Sequence, residues 1–144
     1  MISLRRLLTF LALVSAPLFA ADGWTTDLKA AQQQSRSEKK VMLMNFTGSD
    51  WCSWCIKLKN EVFNTQEFKT YAAKNLILLE VDFPRNKPQS AELKKSNQEL
   101  QKKYGIQGYP TLIVLNADQK QIGELGYMPG GPKAFIAALE KLRK

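Results

Sequence analysis

The sequence predicts an α/β fold, in which a central mixed β-sheet is flanked by helices on both faces. Three short apolar runs, at 41–46, 76–81 and 111–115, have the length and composition of buried strands. Segments with helical spacing of apolar residues separate these runs. The 144 residues, of which 44% are hydrophobic and 24% charged, suit one ordinary globular domain.

The first twenty residues have the pattern of a secretory signal. Arg5 and Arg6 form a basic start, an apolar run follows, and small residues end the segment near Ala20. A membrane anchor is the alternative, but the apolar run is shorter than the roughly 20 residues that a membrane span needs. We therefore expect a signal peptide over 1–20, removed by cleavage near Ala20, and an exported or periplasmic domain over 21–144.

In the first half of the mature chain, a helix is predicted over 24–40 and a strand over 41–46. Gly48, Ser49 and Asp50 break the strand. A helix should then begin at Cys52 and carry apolar residues that include Ile56, and Thr65 can cap a further helical segment.

The second half alternates strands and helices that are bounded by turn and cap residues. The predicted elements are a strand over 76–81, a loop over 84–88, a helix from Ser90 to Tyr104, strands over 111–115 and 121–125, and a last helix opened by 130–132. Gly105 suits a left-handed helix cap. Residues 116–119 have turn composition, so the last two strands should be antiparallel and the first two parallel.

The formal net charge of +8 could indicate a nucleic-acid partner. The lysines, however, are spread over several predicted helix faces and form no compact patch interleaved with exposed aromatic residues. We interpret them as solvated surface charges, and we expect a monomer that does not bind nucleic acid.

The two cysteines, Cys52 and Cys55, lie between a predicted buried strand and a helix. A disulfide between them closes a very small loop, so it would stabilise the fold little. At the start of a helix, the free N–H groups and the positive end of the dipole favour a thiolate over a thiol. We therefore expect Cys52 to be the accessible nucleophile with a lowered pKa, and Cys55 to be the more buried, resolving cysteine.

A metal site within one chain is not expected. A structural zinc site needs about four ligands, and the chain has two cysteines and no histidine. Thiol–disulfide exchange needs no cofactor either, since the dithiol itself carries the electrons.

Two segments resemble the thioredoxin superfamily, and in particular its small exported bacterial members. They are Phe-Thr-Gly-Ser-Asp-Trp-Cys-Ser-Trp-Cys at 46–55 and Lys-Tyr-Gly-Ile-Gln-Gly-Tyr-Pro-Thr-Leu at 103–112. The resemblance covers nearly the whole mature chain and implies a thioredoxin fold. It also implies a cis bond between Tyr109 and Pro110, which would face the cysteines and position an extended substrate segment as an added strand.

The sequence departs from the family at the buried acid that takes a proton from the resolving cysteine. Asn45 stands at the corresponding place in the strand, and an amide cannot act as a base. The proton relay could then run through water, Asp50 or Glu61, and the sequence does not choose between them.

The neighbouring aromatic and acidic residues have less specific interpretations. Trp51 could be a core aromatic or a wall that shields the sulfur atoms. Trp54 lies in the spacer between the cysteines, where contact with a partner or tuning of the redox potential is the favoured role. Asp82, at the end of a strand, is interpreted as an ordinary solvated carboxylate.

The sequence thus predicts an exported thiol–disulfide oxidoreductase with a Cys-Ser-Trp-Cys active site, whose partners are protein thiols or disulfides. A membrane electron donor or acceptor is a further candidate partner. The alternatives are a binding or chaperone module with a mainly oxidised CxxC, and a metal-handling protein that assembles four thiolates from two chains. The spacer residues Ser53 and Trp54 leave the direction of electron flow open.

Overall fold

A computed structural model describes residues 22–144, and the signal peptide expected over 1–20 lies outside this range. These residues form one five-stranded sheet. Its strands are β1 (Trp24–Thr25), β2 (Val41–Thr47), β3 (Leu76–Asp82), β4 (Thr111–Leu115) and β5 (Gln121–Leu125). The spatial order is β1-β3-β2-β4-β5, with β1, β3 and β2 parallel and β4 and β5 antiparallel. The predicted mixed sheet is confirmed.

Helices cover both faces of this sheet. They are α1 (Leu28–Glu38), α2 (Ser53–Leu58), which continues into a π-helical turn (Lys59–Phe63), α3 (Gln66–Asn75), α4 (Ala91–Lys103) and α5 (Gly131–Leu142). One core lies between the sheet and α1 with α4, and the other lies between the sheet and α2, α3 and α5. Within residues 22–144, no helix has the length and apolar character that a membrane crossing requires.

The start of the domain corrects one prediction. The predicted helix over 24–40 is wrong for its first residues, because Trp24 lies in β1 and pairs with Leu78 of β3. The helix begins only at Leu28, where the side chain of Asp27 accepts a hydrogen bond from the N–H of Ala30 at 3.0 Å. The Trp24 ring is buried 5.1 Å from that of Phe63, so its core position comes from the strand and not from a helical face.

The predicted caps are confirmed. The side chains of Thr65 and Ser90 accept hydrogen bonds from the N–H groups of Phe68 and Leu93, at 3.2 Å in both cases. Gly105 follows α4 with a φ angle of +62°, a conformation that glycine adopts without strain. These local signals fix where α3 and α4 begin and where α4 ends.

The helix after the cysteines widens into the π-helical turn, in which the N–H of Asn64 donates to the carbonyl of Lys59 at 2.8 Å. Val62 and Phe63 of this turn are both buried in the core. Ile56, one of the apolar residues predicted for this helix, is 41% exposed. Part of the Ile56 side chain is therefore exposed, and part of it lines a cavity together with Cys55.

The ends of β2 and β3 place four polar side chains on one face of the sheet. Asn45 and Thr47 alternate with core residues of β2, and Glu80 and Asp82 do the same in β3. The register pairs Asn45 with Glu80 and Thr47 with Asp82. The sheet thus presents a polar patch beneath the start of α2.

Candidate active site

Cys52 and Cys55 form a disulfide at the N-terminus of α2, with their Cα atoms 5.2 Å apart. Cys52 is the N-cap residue of the helix, and its Sγ accepts a hydrogen bond from the N–H of Cys55 at 3.2 Å. The same donor and the positive end of the helix would face a Cys52 thiolate in the reduced protein. This arrangement is suited to stabilising negative charge on Sγ of Cys52.

The two sulfur-bearing residues are almost equally covered. Cys52 is 8% exposed and Cys55 is 4% exposed in the disulfide form. The order agrees with the expectation that Cys52 is the outer residue, but the difference is small. The helix position of Cys52, rather than its exposure, is therefore the structural basis for distinguishing the two cysteines.

The loop that precedes Cys52 is held by Asp82 of β3. The N–H and the hydroxyl of Ser49 donate to its carboxylate at 2.9 and 2.6 Å, and Nζ of Lys87 lies 3.0 Å from it. Asp82 is 4% exposed, so the interpretation as a solvated carboxylate is wrong. It is a buried acceptor that ties the cysteine loop to the neighbouring strand.

A second carboxylate ties the same loop to the segment after β3. Asp50 accepts hydrogen bonds from the N–H groups of Arg85 at 3.0 Å and Asn86 at 2.7 Å. The hydrogen bond from Arg85 lowers the pKa of the Asp50 carboxyl below its usual value. Partial desolvation opposes this shift, and the hydrogen bond from Asn86 adds to it. The carboxylate is thus engaged by the loop over 83–87.

Trp51 lies against this second loop as well. Its indole Nε1 donates to the carbonyl of Phe83 at 2.8 Å, and the guanidinium of Arg85 lies 3.7 Å from the centre of a Trp51 ring. Gly48 allows this position, because a Cβ atom at residue 48 would lie 2.4 Å from the indole. Trp51 therefore forms a fixed wall beside Cys52.

The Tyr109–Pro110 peptide bond is cis, as the resemblance implied. The Tyr109 ring lies 5.9 Å from that of Trp51 and 5.3 Å from that of Phe83, and its hydroxyl accepts a hydrogen bond from Nε2 of Gln101 at 2.8 Å. Because Thr111 pairs with the end of β2, the turn containing Pro110 lies at the same edge of the sheet as the cysteine loop.

Trp54 is the most exposed large apolar side chain of residues 22–144, at 53%. Its ring lies 5.0 Å from that of Tyr127, and the ammonium of Lys57 lies 5.2 Å from both rings. The Tyr127 hydroxyl donates to Glu61 at 2.8 Å, and Lys57 is 3.9 Å from the same carboxylate. Glu61 therefore supports the exposed aromatic pair on the outer side of the helix.

Asn45 lies on the inner side, behind Cys55. Both line a cavity of about 20 Å³ together with Thr47, Ser49 and Glu80. Asn45 is 8% exposed, and its Oδ1 accepts no hydrogen bond from any described residue. Of the three residues considered for a proton relay, Asn45 is the one that faces Cys55, while Asp50 and Glu61 are bound elsewhere.

Comparison with known proteins now decides the family. A family model described as a thioredoxin-like domain matches residues 28–143. The chain belongs to this thioredoxin-like family. A curated relative, "Disulfide bond reductase DsbH" of Chlamydia pneumoniae, is 36% identical over 128 residues, which cover 89% of this chain and 77% of the relative.

Solved structures agree. A structure titled "DsbH Oxidoreductase" superposes with a TM-score of 0.79 and 33% identity, over 95% of this chain and 92% of that one. The C-terminal domain of DsbD from Neisseria meningitidis, in its reduced form, gives a TM-score of 0.63 and 26% identity, over 83% and 99% of the two chains. The thioredoxin fold and thiol–disulfide oxidoreductase activity, both predicted from the sequence, are confirmed.

Glu80 is the residue of this thioredoxin-like site that the sequence did not single out. It is the one charged residue inside the apolar run of β3 and lies two positions before Asp82. Period-two alternation places it on the same face as Leu76 and Leu78, which is a signal that could have been used. Its position opposite Asn45 depends on the register of β2 and β3, which the sequence does not state.

We expect Asn45→Asp to destabilise the protein at pH 7 by about 3 kcal/mol, the equivalent of a carboxyl pKa raised by roughly two units. The new carboxylate would be buried opposite Glu80, and the effect should be largest in the disulfide form, where no thiol can share its proton. A raised folded-state pKa means that the loss disappears as the pH falls toward about 4, the ordinary value for aspartate.

Denaturant unfolding of both redox forms at several pH values measures this effect. Asn60→Asp is the matched control, because Asn60 is exposed and its side-chain oxygen already accepts a hydrogen bond from Asn64. Equal stability of Asn45→Asp and the parent protein at pH 7 would contradict the burial of residue 45.

Proposed function

We propose that the protein reduces disulfide bonds of other exported proteins. The name of the 36% identical relative, a disulfide bond reductase, supports this direction of electron flow. The lack of charged residues in the spacer between the cysteines also supports this direction. The spacer residues Ser53 and Trp54 are uncharged and the chain has no histidine, so helix-terminal N–H groups are the main stabilisers of a Cys52 thiolate.

This modest stabilisation bears on the redox potential. Strongly oxidising dithiols owe their potential to a reduced form that is unusually stable. Where the thiolate gains only the helix N-terminus, the disulfide form is favoured, and the dithiol gives up its electrons readily. The observation that carries the proposal is therefore the Cys52 Sγ at the helix cap, with its single N–H donor.

The two cysteines then have distinct roles. The Cys52 thiolate attacks one sulfur of a substrate disulfide and forms a mixed disulfide, and the other substrate sulfur leaves as a thiolate. Cys55, one turn into the helix, attacks Sγ of Cys52 and releases the second substrate sulfur. The dithiol loses two electrons, and the Cys52–Cys55 disulfide is the product.

Substrates would bind to the surface around Cys52. Pro110 and Tyr109 lie at the same sheet edge as the cysteines, and the backbone beside them can pair with an extended substrate segment. Trp51 lies against Tyr109, and Trp54 in the spacer adds an exposed apolar surface. Such a rim suits partly unfolded protein chains, whose apolar side chains are accessible.

The compartment of the protein determines how its dithiol can be regenerated. The segment 1–20 would direct the chain out of the cytoplasm, into a compartment that favours disulfides. A reductant working there must itself be reduced again after each turnover. We therefore propose a membrane-borne electron donor as a partner, in addition to protein disulfides.

Equilibration of the mature protein with glutathione buffers tests the direction. We expect a reduction potential near that of thioredoxin, about −270 mV, and far from the about −120 mV of a strong oxidant. The dithiol form should also reduce the disulfides of insulin, and protein alkylated at both cysteines serves as the blank. A potential near that of the oxidant would reverse the direction, and failure to reduce insulin would favour the binding-module alternative.

A further inference from the structure

The cavity behind Cys55 is small and is lined by both polar and apolar side chains. Its volume of about 20 Å³ is enough for one water molecule, which needs roughly 10–15 Å³ measured in this way. The side chains of Cys55, Asn45, Thr47 and Glu80 line it, with the apolar rings of Trp24 and Phe63 as further walls. A water molecule here would have the two to four polar partners that buried waters require.

Asn45 provides a fixed acceptor in this cavity but no base. Its Oδ1 is buried and accepts no hydrogen bond from residues 22–144. An unpaired buried oxygen destabilises the folded protein, so a hydrogen-bond donor in the cavity would be favoured. A water molecule, the Cys55 thiol or a protonated Glu80 carboxyl can donate, but the amide itself has no pKa in the relevant range.

Glu80 is the titratable acid of the cavity. It is directly opposite Asn45 in the sheet and is partly buried. Burial raises the pKa of its carboxyl above the usual value, and the charges of Asp82 and Asp22 raise it further. Lys59, which also lines the cavity, and Lys87 oppose this rise. A carboxyl with a raised pKa is a better base for a thiol near neutral pH than an ordinary glutamate.

We infer that Glu80 accepts the proton of the Cys55 thiol, through the shared cavity, when Cys55 resolves the mixed disulfide. The carboxylate has moved from the strand that leads to the cysteines, β2, to the neighbouring strand β3, and Asn45 remains as the hydrogen-bonding partner. The inference rests on the proposed exchange at Cys52 and Cys55, with Cys55 as the resolving cysteine.

Glu80 takes the proton of the Cys55 thiol, directly or through one water molecule. The thiolate of Cys55 attacks Sγ of Cys52, the bond between Cys52 and the substrate sulfur breaks, and the substrate leaves as a thiolate with the electron pair. Glu80 then returns its proton to solvent or to the departing thiolate, and the two electrons of the dithiol are on the substrate.

Glu80→Gln tests the inference, because it keeps the size and polarity of the side chain and removes the base. The reduced full chain is mixed with an aromatic disulfide whose thiolate product absorbs visible light, so that attack by Cys52 and resolution by Cys55 each release one coloured product. We expect the first release to be unchanged and the second to slow about a hundredfold at pH 7, the lower range for a positioned general base.

The pH profile distinguishes a proton relay from a structural effect. The slowing should shrink as the pH rises toward the intrinsic pKa of the Cys55 thiol, where no base is needed. Glu80→Asp should recover part of the rate, and Glu124→Gln, an exposed carboxylate on β5, should behave as the parent. Equal slowing of both releases, or an unchanged pH profile of the second, would overturn the inference.

A measurement on the parent protein covers the case in which Glu80→Gln does not fold. The pH titration of the Glu80 carboxyl carbon is followed by NMR in the disulfide and dithiol forms. We expect its midpoint to differ between the two forms, because only the dithiol offers a proton at Cys55. An identical midpoint in both forms would overturn the inference.

Discussion

Cys52→Ser is expected to reduce thiol–disulfide exchange to the uncatalysed background, the largest effect of any substitution considered. A hydroxyl at the helix N-cap can still accept the hydrogen bond that Sγ accepts from the N–H of Cys55, so the fold should persist. The serine, however, supplies no thiolate at neutral pH, and the mixed disulfide cannot form. Insulin reduction and far-UV circular dichroism together measure the loss of activity and the retention of structure.

Cys55→Ser separates the two roles. The Cys52 thiolate should still attack, but resolution is missing, so mixed disulfides with partner proteins should accumulate and survive on non-reducing gels. Since the chain has two cysteines, each variant leaves one thiol and the assignment is unambiguous. Alkylation of the reduced parent at mildly acidic pH provides the check, because labelling of Cys55 before Cys52 would exchange the two roles.

Asp82→Ala is expected to lower the free energy of unfolding by about 2–3 kcal/mol. It would leave the N–H and hydroxyl of Ser49 without their buried acceptor and Lys87 without its ion pair. The loop that carries Trp51 and Cys52 would lose its anchor on β3, so the exchange rate should fall as well.

Thermal and denaturant unfolding measure the stability, and insulin reduction measures the consequence for the site. Asp118→Ala is the matched control, because Asp118 is an exposed aspartate in the turn between β4 and β5. Asp82→Asn, which retains one acceptor oxygen, should cost less than the alanine variant. If Asp82→Ala is as stable as Asp118→Ala, the Ser49 contacts do not contribute to folding.

Much of this architecture follows from local signals in the sequence. The three apolar runs predict β2, β3 and β4 because strands buried on both faces need apolar residues at every position. The sequence also predicts the caps at Thr65 and Ser90 and the glycine at 105, because each of them acts on backbone groups only a few residues away. The cysteine pair and Pro110 could also be predicted, because each of them lies in a recognisable sequence motif.

The features of the site that the sequence did not predict depend on contacts between segments that are distant in the sequence. Asp82 and Asp50 bind backbone groups more than thirty residues away, so their roles require the loop after β2 to meet the loop after β3. Glu80 lines the same cavity as Cys55 only because β3 lies next to β2 in one particular register. Trp24 was misassigned because β1 has two residues, too few for a period to be visible.

The π-helical turn after α2 was also not predicted. Its widened hydrogen bond from Asn64 to Lys59 has no known composition signal in this chain, and ordinary helical spacing describes the segment up to Leu58. The extra residue shifts the positions that follow it, and Val62 and Phe63 are both buried in the core.

The two outer strands of the sheet determine how readily one copy of the protein could add a strand to another. Unpaired strand edges are templates for sheet extension and amyloid growth, and proteins blunt them with short or distorted outer strands. Here one margin is the two-residue β1, and the other is β5, whose pairing with β4 is irregular between Val114 and Leu115. Both outer strands therefore offer little edge for sheet extension, whereas the strand addition proposed for substrates would take place at the turn that contains Pro110.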